Sequence, residues 1–224
     1  MINALLLVPE ITKGMKSIGS KSLLKIKQNK YIIEYQIEQL LTIHPNIDIT
    51  VAIGFDADKI KKILNKYNNI KYIYNPRFDI TNLGKCIELY LEEKHEINNL
   101  FLINSGILFK KGTFHKNQLN KTSKLFFLDK PKNNFDIGCG STDNIEYLFY
   151  DLPKVWSECV FLDSFALDKL KILSINQNIS HMYTFEIINE LLAMNTKFES
   201  EEFPKSHFLK ITSIKDLDKA KVFV

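Results

Sequence analysis

Few residues in this chain can mark an internal boundary. Eight glycines and six prolines in 224 residues leave no Pro/Gly/Ser-rich stretch to serve as a linker, and there is no repeat or low-complexity tract. Cysteine is scarcer still. Cys86, Cys139 and Cys159 are odd in number, lie far apart and show neither CxxC nor Cys/His zinc spacing, which excludes a disulfide framework and a zinc ribbon. They read as buried apolar thiols. The only apolar run near the N-terminus is Ala4 to Val8, too short for a signal-peptide core or a membrane span, with no basic leader before it. The expectation is a soluble, cytoplasmic protein with no membrane partner. Net charge is only +4, too small for a whole-surface field directed at nucleic acid or membrane.

What is present argues for a packed globule. The apolar fraction is 45%, with 16 Phe and 9 Tyr, enough aromatic surface to offset the entropy of ordering the chain. The length suits one domain over 1–224. The modest charge is unevenly placed: Lys13, Lys16, Lys21, Lys25, Lys27 and Lys30 face the single acid Glu10 within the first thirty residues. Such clustering suggests a local anion site, with Lys27 and Lys30 read as solvated surface lysines.

The first half alternates strands and helices. Asn3 to Val8 reads as a strand buried on both faces, and Pro9 to Ser20 as a loop. Ile32 to Leu41 has helical spacing ending near His44-Pro45. Asp48 to Ile53 is a second strand, followed by a helix capped by Asp56. Ile70 to Tyr74, Leu83 to Leu91 and Leu100 to Ile103 continue as strand, helix and strand. This order implies an α/β fold with a mostly parallel sheet and helices on both faces, and ligands bind such sheets at the carboxyl ends of the strands. Beyond residue 123 the expectation is a smaller antiparallel part. Its strands are Lys124 to Leu128, Phe135 to Cys139 and Ile145 to Tyr150, its helices Glu158 to Leu173 and Phe185 to Met194. A last strand follows at Phe208 to Ile211, then a helix over Ser213 to Val222 capped by Ser213 with Asp216 three residues on.

The loop after the first strand reads Lys13-Gly14-Met15-Lys16-Ser17-Ile18-Gly19-Ser20-Lys21. It resembles the Gly-rich loop of the nucleotidyltransferase family with the GT-A-type fold, which includes sugar-1-phosphate and phosphocholine nucleotidyltransferases. Gly54-Phe55 with Asp58 and Ile60, Asn75-Pro76-Arg77-Phe78 with Thr81-Asn82, the Leu100 to Phe109 run, and Lys210-Ile211-Thr212-Ser213 with Asp216-Leu217 and Ala220 are similar to further family segments in the same order. The resemblance implies a nucleotide-binding half over 1–110 and an acceptor-side half over 111–224. It assigns the catalytic lysine to Lys21, although Ser20 replaces the family proline. Phosphate or nucleotide contacts fall on Lys13, Gly14, Lys16, Ser17 and Asn82, and the acceptor side on Trp156 and Glu158.

Two departures bear on the chemistry. Charge builds on phosphate oxygens during nucleotidyl transfer, so such a site needs cations, usually including Mg²⁺ held by carboxylates. The family's two metal-binding Asp positions hold Gly106 and Thr212 here, so no metal ligand is assigned and Mg²⁺ is the one cofactor the resemblance implies. Pro9-Glu10 also stands where the family has small residues, removing an N–H donor and adding negative charge. Asp129, Asp136, Asp143 and Glu158 are the other acids available to a metal. The expectation is a protein that binds a nucleoside triphosphate or nucleotide-linked small molecule with weak or no turnover, a pseudoenzyme. The alternative is a non-catalytic assembly protein, homo-oligomeric or bound to a partner, that keeps the fold. A nucleic-acid patch is disfavoured because no aromatics interleave the lysines.

Overall fold

The computed structural model describes residues 1–9, 19–27, 29–94, 96–119, 121–129 and 136–224, with the backbone alone at residue 129. Strand β1 (Asn3–Val8) is buried at five of its six positions, as a strand covered on both faces requires. Helix α1 (Ile32–Ile43) follows, its first turn closed by the Glu34 carboxylate accepting from the Tyr31 N–H at 2.7 Å. Next come β2 (Asp48–Ile53), α2 (Ala57–Leu64), β3 (Lys71–Tyr74), α3 (Leu83–Glu93), β4 (Asn99–Asn104) and the short β5 (Ile107–Phe109). The second half contributes β6 (Lys124–Asp129), β7 (Ile137–Cys139), β8 (Phe149–Tyr150), β9 (Lys154–Asp163), α4 (Ser164–Asn176), α5 (Thr184–Ala193), β10 (Glu199–Pro204), β11 (Phe208–Lys210) and α6 (Asp216–Phe223).

One sheet runs through both halves in the order β10-β6-β9-β4-β1-β2-β3. Along it only β9 runs against its neighbours: β1 pairs parallel with β2 and β4, while β9 pairs antiparallel with β4 and β6. β7 pairs antiparallel with β9 and β8 with β7, and β11 pairs antiparallel with β5 as a separate ribbon. The α/β class, the mostly parallel sheet and the antiparallel addition are as the sequence implies.

Two cores cover the faces. On one, Leu5 and Leu7 pack with residues of α3, α4 and α5; on the other, Ala4, Leu6 and Val8 pack with α1, α2 and a group of phenylalanines. Phe114 is at the centre of that group, with ring centroids 5.0, 4.9 and 4.9 Å from Phe101, Phe109 and Phe126 and 5.6 Å from Phe203 and Phe208. These edge-on contacts use much of the chain's Phe content. All three cysteines are free and buried, as expected. Among the described residues no helix is long and apolar enough to cross a membrane.

Five expectations need correction. The segment from Lys154 to Asp163 is a strand, so Glu158 lies on β9 and the helix begins only at Ser164, where Asp163 accepts from Ala166 N–H at 2.9 Å. A bulge in β9 breaks the period-2 pattern there and hid it. β5 and β10 were not foreseen; β10 (ESEEFP) is an edge strand whose charges discourage further pairing. Asp56 stands at the N-cap of α2 in the left-handed region, yet its carboxylate accepts from Ser20 N–H and pairs with Lys59 rather than capping. Ser213 does not cap α6 either, because its hydroxyl donates to Asp216. Lys30 is paired, on Glu38.

Candidate functional site

The carboxyl ends of β1 and β4 meet where Ser105 N–H donates to the Leu7 carbonyl at 2.9 Å. The chain reverses there through Ser105-Gly106 into β5, with Gly106 at φ +76°. Gln36 of α1 clamps this turn, its amide donating to the carbonyls of Asn104 (3.2 Å) and Ile107 (3.0 Å). A Cβ added at Gly106 would lie 3.0 Å from the Ile211 carbonyl oxygen and 3.1 and 3.2 Å from Cε and Cδ of Lys21. The Lys21 stem therefore lies across the glycine, in space that an aspartate at this position would need.

Lys21 reaches the turn from a one-turn 3-10 helix, Lys21–Leu23, braced by Leu23 N–H on the Ser20 carbonyl at 3.0 Å. It lines a cavity of about 150 Å³ with Asn104, Ser105, Tyr150, Trp156 and Glu158. Lys21 thus lies at the carboxyl ends of β1 and β4. Lys13, Gly14, Lys16 and Ser17, and with them Glu10, lie outside the described residues. Asn82 precedes α3 and its amide donates to the His181 carbonyl while its N–H donates to the Ser180 carbonyl; the structure thus uses it to join α3 to the segment before α5. Leu83, one residue on, lines the cavity.

Trp156 and Glu158 are brought to this cavity by the bulge in β9. Leu125 and Phe127 of β6 oppose Val160 and Trp156 of β9, so Ser157, Glu158 and Cys159 face a single intervening residue. Trp156 Nε1–H closes the bulge on the Cys159 carbonyl at 2.8 Å, and Glu158 takes φ +62°. Bulges re-aim side chains in this way, and a left-handed glutamate costs of order 1–2 kcal/mol unless its surroundings hold it.

What holds it is a set of polar contacts that the sequence did not reveal. The Glu158 carboxylate forms an ion pair with Lys210 of β11 and accepts from the Asn104 amide at 3.0 Å. The Asn104 amide oxygen accepts from the Thr184 hydroxyl at 3.2 Å. The Glu158 side chain is only 14% exposed and that of Lys210 35%. Burial alone would push the Glu158 carboxyl up, but the Lys210 ammonium, the Asn104 amide and Lys21 hold it below the usual carboxylate range. Burial likewise works against the Lys210 charge, and Glu158, with smaller contributions from Asp136 and Tyr150, raises its pKa above the ordinary lysine value. Lys210 was legible only as the first residue of the Lys210-Ile211-Thr212-Ser213 segment.

The residues present do not fit a divalent metal. Gly106 offers no ligand and no room for one. The Thr212 hydroxyl donates to Asp216 Oδ2 at 3.0 Å, and the same oxygen accepts from Thr212 N–H, Ser213 N–H and the Ser213 hydroxyl at 3.0, 3.0 and 3.1 Å. Glu158 is engaged by Lys210, and Asp143 is exposed. Among the described residues no group of three His, Cys, Asp or Glu gathers to hold an ion.

Fold and strand-tip cleft together define the class: this is the nucleotidyltransferase fold. Over 99% of this chain and 98% of the other, the structure is similar to CTP:phosphocholine cytidylyltransferase from Streptococcus pneumoniae, with a TM-score of 0.80 at 18% identity. It is also similar to the inositol-1-phosphate CTP transferase from T. maritima, with a TM-score of 0.77 at 14% identity over 99% and 94% of the two chains. The nucleoside-diphosphate-sugar pyrophosphorylase from Vibrio cholerae RC9 gives 0.74 at 9% identity over 99% and 100%. No family model and no curated relative matches the sequence. At these identities the likeness establishes the fold, and function must be argued from the site.

Proposed function

We propose that this protein binds a nucleoside triphosphate or a related phosphorylated ligand at the carboxyl ends of β1 and β4, with weak or no transfer to an acceptor such as a sugar phosphate or phosphocholine. The observation that carries this reading is Lys21, whose stem crosses Gly106 and whose ammonium is delivered to the strand tips where open α/β sheets take their ligands. A lysine in that place compensates phosphate charge. Low turnover follows from the donor set, because among the described residues no group of three acids, histidines or cysteines gathers to hold Mg²⁺ against a triphosphate, and Glu158 is taken by Lys210. Two of the similar structures bear names that specify CTP, which makes CTP the first nucleotide to try.

Among acceptors, the cavity walls favour phosphocholine. Tyr150, Trp156, Tyr183 and Phe185 line it beside Glu158, with the Tyr150 and Phe185 rings 5.6 Å apart. Aromatic faces suit a quaternary ammonium group. Thermal shift with CTP, UTP, GTP and ATP, each with and without Mg²⁺, tests binding, and stabilisation by none of them removes the claim. Pyrophosphate release with phosphocholine and a panel of sugar phosphates tests transfer. We place the protein in the cytoplasm, a location supported by its three buried free thiols.

A second reading, a non-catalytic assembly protein, is favoured by one observation. Tyr147, Phe149, Tyr150 and Tyr183 are 51, 55, 44 and 40% exposed near the cleft mouth, a grouping of aromatics that interfaces use. A stable complex recovered without nucleotide and unaltered by Lys21→Ala supports this reading; loss of the complex on that substitution alone counts against it.

A further inference from the structure

The cleft has lost its acids and gained a base. Gly106 is overlaid by Lys21, the Thr212 hydroxyl is committed to Asp216, and Glu158, the carboxylate lining the cavity, is taken by Lys210. A divalent ion entering here would meet Lys21 in the cavity wall and Lys210 on Glu158, and the acid that lines the cavity would have to release its partner first. Desolvating Mg²⁺ against fixed positive charge is unfavourable.

The same arrangement suits an anion without help. Register on β5 sets Lys210 opposite Ile107, one residue from Gly106, and Ile211 N–H donates to the Gly106 carbonyl at 2.9 Å, so β11 is fixed to the turn that Lys21 crosses. Glu158 grips the Lys210 ammonium from one side, and about a third of that lysine's side chain remains exposed. A tethered ammonium is an ordered positive charge whose rotamer entropy is already spent.

We propose that Lys210, held in place by Glu158, is the resident cation of this cleft and substitutes for a divalent metal, so that a phosphorylated ligand binds here without Mg²⁺. The proposal rests on the nucleotide-binding reading above and deepens it. Lys210 and Lys21 supply the positive charge, while Glu158 positions Lys210 and limits how strongly it attracts the ligand. Removing the Glu158 charge therefore strengthens anion binding, an effect opposite to that of damaging a merely structural contact.

The test is calorimetric titration of the full chain with CTP, in EDTA and in Mg²⁺. CTP is expected to bind in EDTA and no more tightly in Mg²⁺. Glu158→Gln, a neutral isostere that keeps an acceptor for Lys210, is expected to tighten CTP binding in EDTA by roughly three- to tenfold, and Lys210→Met to weaken it by about tenfold. If Lys210→Met fails to fold, Glu158→Gln still decides the matter. Tighter binding in Mg²⁺ than in EDTA, or a Glu158→Gln variant that binds no better than the parent, overturns the inference and leaves nucleotide binding standing. Binding in neither buffer overturns both.

Discussion

Glu158 and Lys210, fifty-two residues apart in sequence and on different sheets, meet as an ion pair beside the cavity at the strand tips. Each is unusual by itself. Glu158 lies in a β-bulge at φ +62°, and Lys210 ends the strand of a short ribbon fixed to the Gly106 turn. Together each satisfies the other, and the pair links the main sheet to the β5-β11 ribbon.

A double-mutant cycle measures that link. Lys210→Ala is expected to cost about 2 kcal/mol, below the ~3–5 typical for breaking a buried pair because this lysine is about a third exposed. Glu158→Ala/Lys210→Ala is expected to cost less than the two single changes added, with a coupling of about 1–2 kcal/mol in urea denaturation. Strict additivity would mean that the pair contributes nothing.

Restoring an acid at Gly106 is expected to fail. Gly106→Asp must take φ +76° and place Cβ about 3 Å from both the Ile211 carbonyl and the Lys21 stem, for a cost of about 2–3 kcal/mol. Melting temperature should fall by roughly 5–10 °C at this chain length. In a Lys21→Ala background the loss is expected to shrink by about 1 kcal/mol, since one of the two obstructions is gone. An equal loss in both backgrounds would remove Lys21 from the account.

How much of this was legible depended on periodicity. β1 and β2 are continuous apolar runs and α1 is a regular amphipathic helix, so the parallel half and its strand-tip cleft could be read from residues alone. β9 could not, because its bulge shifts the alternation at Glu158, and β10 could not, because an edge strand of glutamates has no apolar face to announce it. Lys21 and Glu158 were singled out from sequence, the latter on the wrong element. Asn104, Thr184 and Lys210 were not, since their roles come from contacts across 52 to 80 residues of chain that only the folded topology creates.

The phenylalanine group makes a prediction about stability that is separate from the cleft. Phe114 is 2% exposed and touches five other rings. Its removal leaves a cavity whose rigid aromatic walls collapse poorly. Phe114→Ala is expected to cost about 4 kcal/mol, near the upper part of the range for such changes, and to lower the melting temperature by roughly 8–16 °C. Phe114→Leu, which keeps most of the volume, is expected to cost less than half as much.

Asp216 gives the chain a distinct acid sensitivity. Burial alone would raise its carboxyl, but the Thr212 N–H, Lys219 and the hydroxyls of Thr212 and Ser213 outweigh it and lower the pKa to about 2. A free aspartate titrates near 3.9, so the folded value lies below the unfolded one. The unfolded chain then binds the proton first as pH falls, and the stabilisation is full above about pH 5 and lost progressively on the way down to about pH 2. The shift corresponds to about 2 kcal/mol, which needs little discount for screening because this side chain is only 12% exposed. Asp216→Asn cannot carry the charge at any pH. In urea denaturation the parent is expected to exceed the variant by about 2 kcal/mol at pH 7 and by less than about 0.5 kcal/mol near pH 2. A gap that stays constant between those limits would mean that Asp216 acts through its shape and not its charge, and that the 212–216 turn does not depend on an ionised carboxylate.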